Sequence, residues 1–127
     1  MAERRLYHLA PAAMYRQQAA DGAYRPPSLA EEGFIHCTAG RELLLKIANA
    51  FFQDLDDELL ALEIDEGAVE APVRYEPPAP VPHQEGVPPF AAGQLFPHIY
   101  GPLNRAAIVA IHSLTRAKTG AWTFAGQ

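Results

Sequence analysis

The sequence predicts an α+β fold: a single domain over residues 1–127, with a curved, mostly antiparallel sheet and two main helices in the N-terminal half. Three observations carry that prediction. Leu44, Ile47, Ala48, Phe51 and Leu55 recur at helical spacing, the stripe of a helix packed on a sheet. Short segments of two-residue alternation fill most of the rest. The helical segments lie together before most of these strands, and segregation of that kind favours an antiparallel sheet over a parallel one of alternating strands and helices. A chain of 127 residues, 49% hydrophobic and 20% charged, has the length and globular composition to close one core.

Each element has its own reason. "RRLYHLA" reads as the first strand, with Leu6, His8 and Ala10 on one face and Tyr7 and Leu9 on the other. Pro11 suits a first helical turn, and "PAAMYRQQAADG" continues as a helix until Gly22. "AYRPPSL" reads as a loop, because Pro26 and Pro27 oppose both helix and central strand. "GFIHCT" is the second strand, and Thr38 is placed to cap the long helix after it. "LLALEI", "PVRYE", "QLFPHIYG" and "AAIVAIHSL" follow as strands, the last two joined by the tight "GPLN" connection. The tail "GAWTFAGQ" adds an edge strand or lies on the surface. Residues 77–93 read as a proline-rich surface loop, since six of the twelve prolines fall between 77 and 89. A semi-rigid flap with His83 near its tip is expected there.

Charge and cysteine content narrow the partners. A net charge of −5 and a pI near 5.4 argue against holding nucleic acid by bulk phosphate attraction. Cys37 is the only cysteine, which excludes an internal disulfide and fits a reducing compartment. No apolar run approaches the ~18 residues of a membrane span, and the N-terminus lacks a leader's apolar stretch. The expectation is a cytoplasmic protein with no membrane partner.

Alternation then singles out a site. Phe34, His36 and Thr38 share one face of the second strand, and Phe96, His98 and Tyr100 share one face of the later one. Each strand presents an aromatic ring, an imidazole and a hydroxyl. His8 supplies a third imidazole from the first strand. Converging faces would form a cleft with aromatic walls and a polar floor, suited to a nucleotide's rings, ribose hydroxyls and phosphates. His98 is expected to look into that cleft and away from the core.

The other candidates are weaker. His112 and His83 read as ordinary half-exposed or hydrogen-bonded histidines. Alternation turns Cys37 away from His36, so it fits a small buried thiol better than a nucleophile or a metal ligand. No metal is expected: the chain has no CxxC or HExxH spacing, although a site of His8, His36 and His98 stays open as an alternative. Glu31, Glu32, Glu63, Asp65 and Glu76 fall in no recognisable pair, and Asp54, Asp56, Asp57 and Glu58 read as a solvated turn.

The segments "YH" at 7 and 8, "PSLAEEGFIHCT", "LLALEID", "PVRYE" and "FPHIYGPLNRAAIV" together resemble the bacterial family known as domain of unknown function 952, over residues 6 to about 114. That resemblance implies a fold similar to the ADP-ribosyltransferases, with a split, curved sheet around an NAD-binding cleft. It implies NAD as cofactor or substrate, and a nucleotide-like small molecule as partner. By the same resemblance His36, His98 and Tyr100 are the candidate catalytic residues. His8, Phe34, Thr38, Ser28 and Phe96 are the candidate binding residues. Most such transferases carry a catalytic glutamate where this chain has His98 and Tyr100 followed by Gly101 and Pro102. The RNA 2′-phosphotransferases work without it, because their acceptor phosphate is itself the anionic nucleophile. A phosphate acceptor needs cations, and Arg16, Arg25, Arg74 and Arg105 are the scattered candidates. Two functions follow: transfer or cleavage of ADP-ribose from NAD or from an ADP-ribosylated or 2′-phosphorylated substrate, or a non-catalytic module that binds a small ligand in the same cleft.

Overall fold

The computed structural model describes residues 4–18, 22–78 and 93–124. β1 (Arg5–Pro11) leads directly into the short helix α1 (Ala12–Arg16). α2 (Pro27–Glu32), β2 (Ile35–His36) and α3 (Arg41–Phe51) follow. Then come β3 (Leu59–Asp65), β4 (Val73–Glu76), β5 (Phe96–Ile99), β6 (Ile108–Arg116) and β7 (Trp122–Phe124). All strand pairings are antiparallel, in two groups ordered β1-β3-β6-β7 and β2-β5-β4. Tyr7 of β1 and Thr38, just past β2, stitch the groups together by exchanging backbone bonds of 2.8 Å in both directions. The result is an α+β fold around one curled antiparallel sheet.

Each face of β1 and β3 has its own core, as period-two alternation requires. Leu6, Ala10, Leu60, Leu62 and Ile64 pack on one side with Ile35, Cys37, Ile99, Tyr24 and Leu103. Tyr7, Leu9, Leu59 and Ala61 pack on the other with Leu44 and Ala48 of α3, Leu114, Trp122 and Phe124. Of the stripe read from the sequence, Leu44 and Ala48 are buried on α3 and Ile47 packs beside them, while Leu55 packs on the same core from beyond the helix end; the tail does add an edge strand, β7 on β6.

Three local expectations fail for identifiable reasons. Pro11 ends β1 instead of opening a helix to Gly22, so α1 is a single short turn ending at Arg16. The "PPSL" segment is not all loop: Pro27 sits at the first position of α2, where its missing N–H would be unsatisfied anyway, and Gly33 closes the helix at φ 90°. Thr38 does not cap α3. Its backbone is committed to Tyr7, and Gly40 at φ 112° stands at the cap without a side-chain bond. The expected flap and His83 lie outside the described residues. Among the described residues no helix is long and apolar enough to cross a membrane.

Candidate functional site

The register of β2 on β5 places His36 directly opposite His98. Their rings stand 5.5 Å apart, edge to face at 74°. Phe34, one residue before β2, stacks on His98 at 4.2 Å and 27°, and also lies 4.8 Å from His36 and 5.3 Å from Tyr100. Phe34, His36, His98 and Tyr100 thus converge: alternation puts each pair on one strand face, and the register of β2 on β5 brings the two faces together.

Two carboxylates complete the cluster. Oε1 of Glu76, at the end of β4, accepts from Nδ1 of His98 at 2.8 Å and from the Tyr100 hydroxyl at 2.5 Å. These bonds, with the Tyr100 one foremost, hold the Glu76 carboxyl below its usual range, and the same carboxylate raises the Tyr100 phenol. Glu32, the last residue of α2, lies 2.9 Å from Nε2 of His36. Arg74, opposite His98 in register, holds its guanidinium 5.2 Å from the centre of the Tyr100 ring. Alternation along "PVRYE" puts Arg74 and Glu76 on one face, but nothing in that segment alone says that β5 is the neighbour.

His98 does not look into an open cleft. It is 2% exposed, enclosed by Phe34 on one ring face and bonded to Glu76 at one edge. His36 is the more accessible imidazole, its side chain 35% exposed. Nδ1 of His98 is engaged by Glu76 and Nε2 of His36 by Glu32, and neither ring's other nitrogen has a hydrogen bond among the described residues. A carboxylate on one nitrogen fixes the ring's tautomer and orientation, an arrangement compatible with general acid and base work.

The remaining candidates stand behind this cluster. His8 is buried, and its Nδ1 donates to the His36 carbonyl oxygen from 2.6 Å. Burial is the main cause that lowers its pKa to about 4, so it is neutral and braces His36 through the backbone. Thr38 is buried at the seam with Tyr7, and Phe96 is buried opposite Glu76. Ser28 lies in α2, with a buried Oγ that has no partner among the described residues. Cys37 sits in the core, where burial pushes its thiol far above the ordinary value.

His112 stands on β6 opposite Ala61 of β3, its ring 5.5 Å from that of Phe124. There it lies 2.7 Å from Glu63, a carboxylate that Arg5 and Arg41 also approach at 3.4 and 3.5 Å. Among the described residues no group of three or more His, Cys, Asp or Glu is placed to hold a metal ion.

Fold and site together define a class: an α+β protein with a curled antiparallel sheet, carrying paired imidazoles and carboxylates where β2, β5 and β4 meet. Within that class the chain belongs to the family described as "Protein of unknown function (DUF952)", which matches residues 9–111. Two crystal structures of protein CC0527 from Caulobacter crescentus, one of them of a double mutant, are similar to it with TM-scores of 0.71 and 0.70. Each shares 22% identity over 94% of this chain and 93% of its own, a likeness of fold. No protein of curated function matches the sequence.

Proposed function

We propose that this chain is an ADP-ribosyltransferase-like enzyme that binds NAD or another ADP-ribose-containing nucleotide at the His36–His98 face and cleaves or transfers the ribosyl group there. The observation that carries this reading is Glu76. Breaking the bond between ribose and nicotinamide builds positive charge on the sugar, and a fixed anion beside it lowers the barrier. The β5 segment lacks the glutamate usual in such transferases, yet Glu76 brings a carboxylate to His98 and Tyr100 from the adjacent strand.

The roles follow from position. Phe34 offers a ring for stacking against the nicotinamide or the base. His36, the more exposed imidazole, bonds the ribose hydroxyls. The electron pair of the breaking C–N bond leaves with nicotinamide, and the acceptor's oxygen bonds to the sugar carbon. Where the acceptor is water, its proton passes to the free nitrogen of His98, with Tyr100 and Glu76 holding that ring. A phosphorylated acceptor is itself the anion, and Arg74 is the nearby cation for it. His8, Thr38, Ser28 and Phe96 shape the nucleotide site from buried or half-buried positions. NAD is the cofactor of this reading, which assigns no step to a metal.

Calorimetry with NAD and with ADP-ribose tests binding, and nicotinamide release tests chemistry. Wild type should give heat with both ligands, His36→Ala should give little, and Glu76→Gln should bind without releasing nicotinamide. No heat with either ligand sinks the nucleotide reading. A second reading, a non-catalytic binding module, draws support from Oε1 of Glu76 being already engaged by two donors. Nucleotide binding with no nicotinamide released over hours would select it.

A further inference from the structure

Away from the histidine pair, the hydroxyl of Tyr24, Oγ of Ser28 and one terminal nitrogen, NH2, of Arg105 are buried without a partner among the described residues. The first and last belong to one assembly. Tyr24 and Leu103 exchange backbone bonds of 2.8 and 2.9 Å, which ties the segment before α2 to the segment carrying Arg105. Nε of Arg105 donates to the Gly22 carbonyl oxygen at 2.6 Å and NH1 donates to the Tyr15 hydroxyl at 2.8 Å. The Tyr15 ring lies between the two, 4.9 Å from the Tyr24 ring and 5.0 Å from the Arg105 guanidinium.

A guanidinium held at two of its nitrogens, with a third buried and unpaired, is an arrangement that calls for an acceptor. No ion pair to Arg105 occurs among the described residues, although Arg4, Arg5, Arg16 and Arg41 each have a carboxylate within 4 Å. Tyr24 is fully buried, and its phenol is raised to about 12, mainly by that burial, so it remains a protonated donor. Both orphans therefore offer hydrogens, and one carries positive charge.

We infer that Arg105 and Tyr24 form a second binding site, for a phosphate oxyanion. His8 connects this site to the first: its ring lies 5.9 Å from that of Tyr24, and its Nδ1 bonds the carbonyl of His36. The oxyanion is then the pyrophosphate of the nucleotide, which rests on the function proposed above; free phosphate or pyrophosphate shares the same chemistry. Charge-assisted bonds from a planar guanidinium and a hydroxyl are the usual means of holding such a group.

The test is thermal shift and calorimetry on the full chain with inorganic phosphate, inorganic pyrophosphate, ADP-ribose and adenosine. Pyrophosphate and ADP-ribose should both raise the melting temperature of wild type, and adenosine should not. Tyr24→Phe removes only an unpartnered oxygen, so it should fold as well as wild type and bind pyrophosphate roughly tenfold more weakly. Arg105→Gln should lose the response altogether, and Arg105→Lys should recover part of it. An unchanged pyrophosphate response in Tyr24→Phe, or a crystal structure grown with pyrophosphate showing only ordered water on these donors, overturns the inference. The two proposals fail separately. ADP-ribose binding that needs His36 but ignores Tyr24 leaves the nucleotide reading standing and removes this site. Pyrophosphate binding without any response to ADP-ribose does the reverse.

Discussion

Nδ1 of His98 lies 2.8 Å from Oε1 of Glu76, so a side-chain bond reinforces the backbone ladder between β5 and β4. The same oxygen takes the Tyr100 hydroxyl, and Phe34 covers the imidazole from the side. His98 is therefore a structural member of the sheet as well as a candidate reactive group. The sequence pattern places it in a cleft and away from the core. Its burial argues otherwise.

The first prediction separates those two roles. His98→Ala should destabilise the protein by about 2–4 kcal/mol, because it opens a cavity and removes a donor from Glu76. His98→Asn keeps a donor near the position of Nδ1 and should lose roughly half as much, yet it lacks the second ring nitrogen. Urea unfolding measures stability, and nicotinamide release per folded molecule measures function. Both variants should be inactive. An active His98→Asn enzyme would show that the imidazole serves only the fold.

His8 predicts a pH dependence. Its folded pKa is lowered to about 4 against an ordinary value of 6.5, so the unfolded chain binds more protons between those values. Stability from this group is complete above pH 6.5 and falls as pH drops through the window, by about 3 kcal/mol in all. Unfolding free energies measured from about pH 7 down to about pH 4 should show this loss, and His8→Asn, which cannot take up the proton, should flatten it. Equal slopes in the two proteins would place the titration elsewhere. Glu76, whose pKa is also depressed, adds stability that is present above the ordinary carboxylate range and is lost as pH falls through its lower folded value.

The site was legible in the sequence wherever one strand's alternation sufficed. Phe34 and His36, and likewise His98 and Tyr100, share a face by period two alone. That the two faces meet depends on the register of β2 on β5, and the role of Glu76 depends on β4 being the next neighbour; neither relation is local. Glu32 was hidden for another reason. The segment before "GFIHCT" read as a loop on account of its prolines, so the helical turn that aims Glu32 at His36 was not expected. Thr38 shows the opposite error, a local cap rule overridden by a backbone bridge to Tyr7.

Cys37 should behave as an inert core residue. It is 3% exposed and packs with Ile35 and Ile99 neighbours in the core beneath β2, and burial holds its proton on. A thiol reagent should leave it unmodified in the native protein and react on unfolding. Cys37→Ala should be the milder change, at about 1 kcal/mol, and Cys37→Ser the more severe, because a buried hydroxyl without a partner adds its desolvation penalty. Rapid modification of the folded protein at neutral pH would contradict this placement.

Gly101 supplies the last prediction, which links backbone packing to the site. A Cβ added there would lie 2.8 Å from Cβ of Ala71, closer than two such carbons can approach. The neighbouring backbone offers little room to give way, because the Tyr100 N–H donates to the Pro72 carbonyl oxygen at 2.8 Å. That bond holds the turn after β5 against the segment leading into β4, and so sets where the Tyr100 hydroxyl meets Glu76. Gly101→Ala should therefore destabilise by about 1–3 kcal/mol through overpacking. It should also impair ligand binding by shifting Tyr100. Adding Ala71→Gly removes the opposing methyl carbon, so the double variant should regain most of the lost stability, a coupling that a double-mutant cycle reads directly. Additive losses in the double variant would mean that Gly101 is required for its backbone conformation and not for the close approach to Ala71. A single variant as stable as wild type would mean that the contact relaxes at no cost.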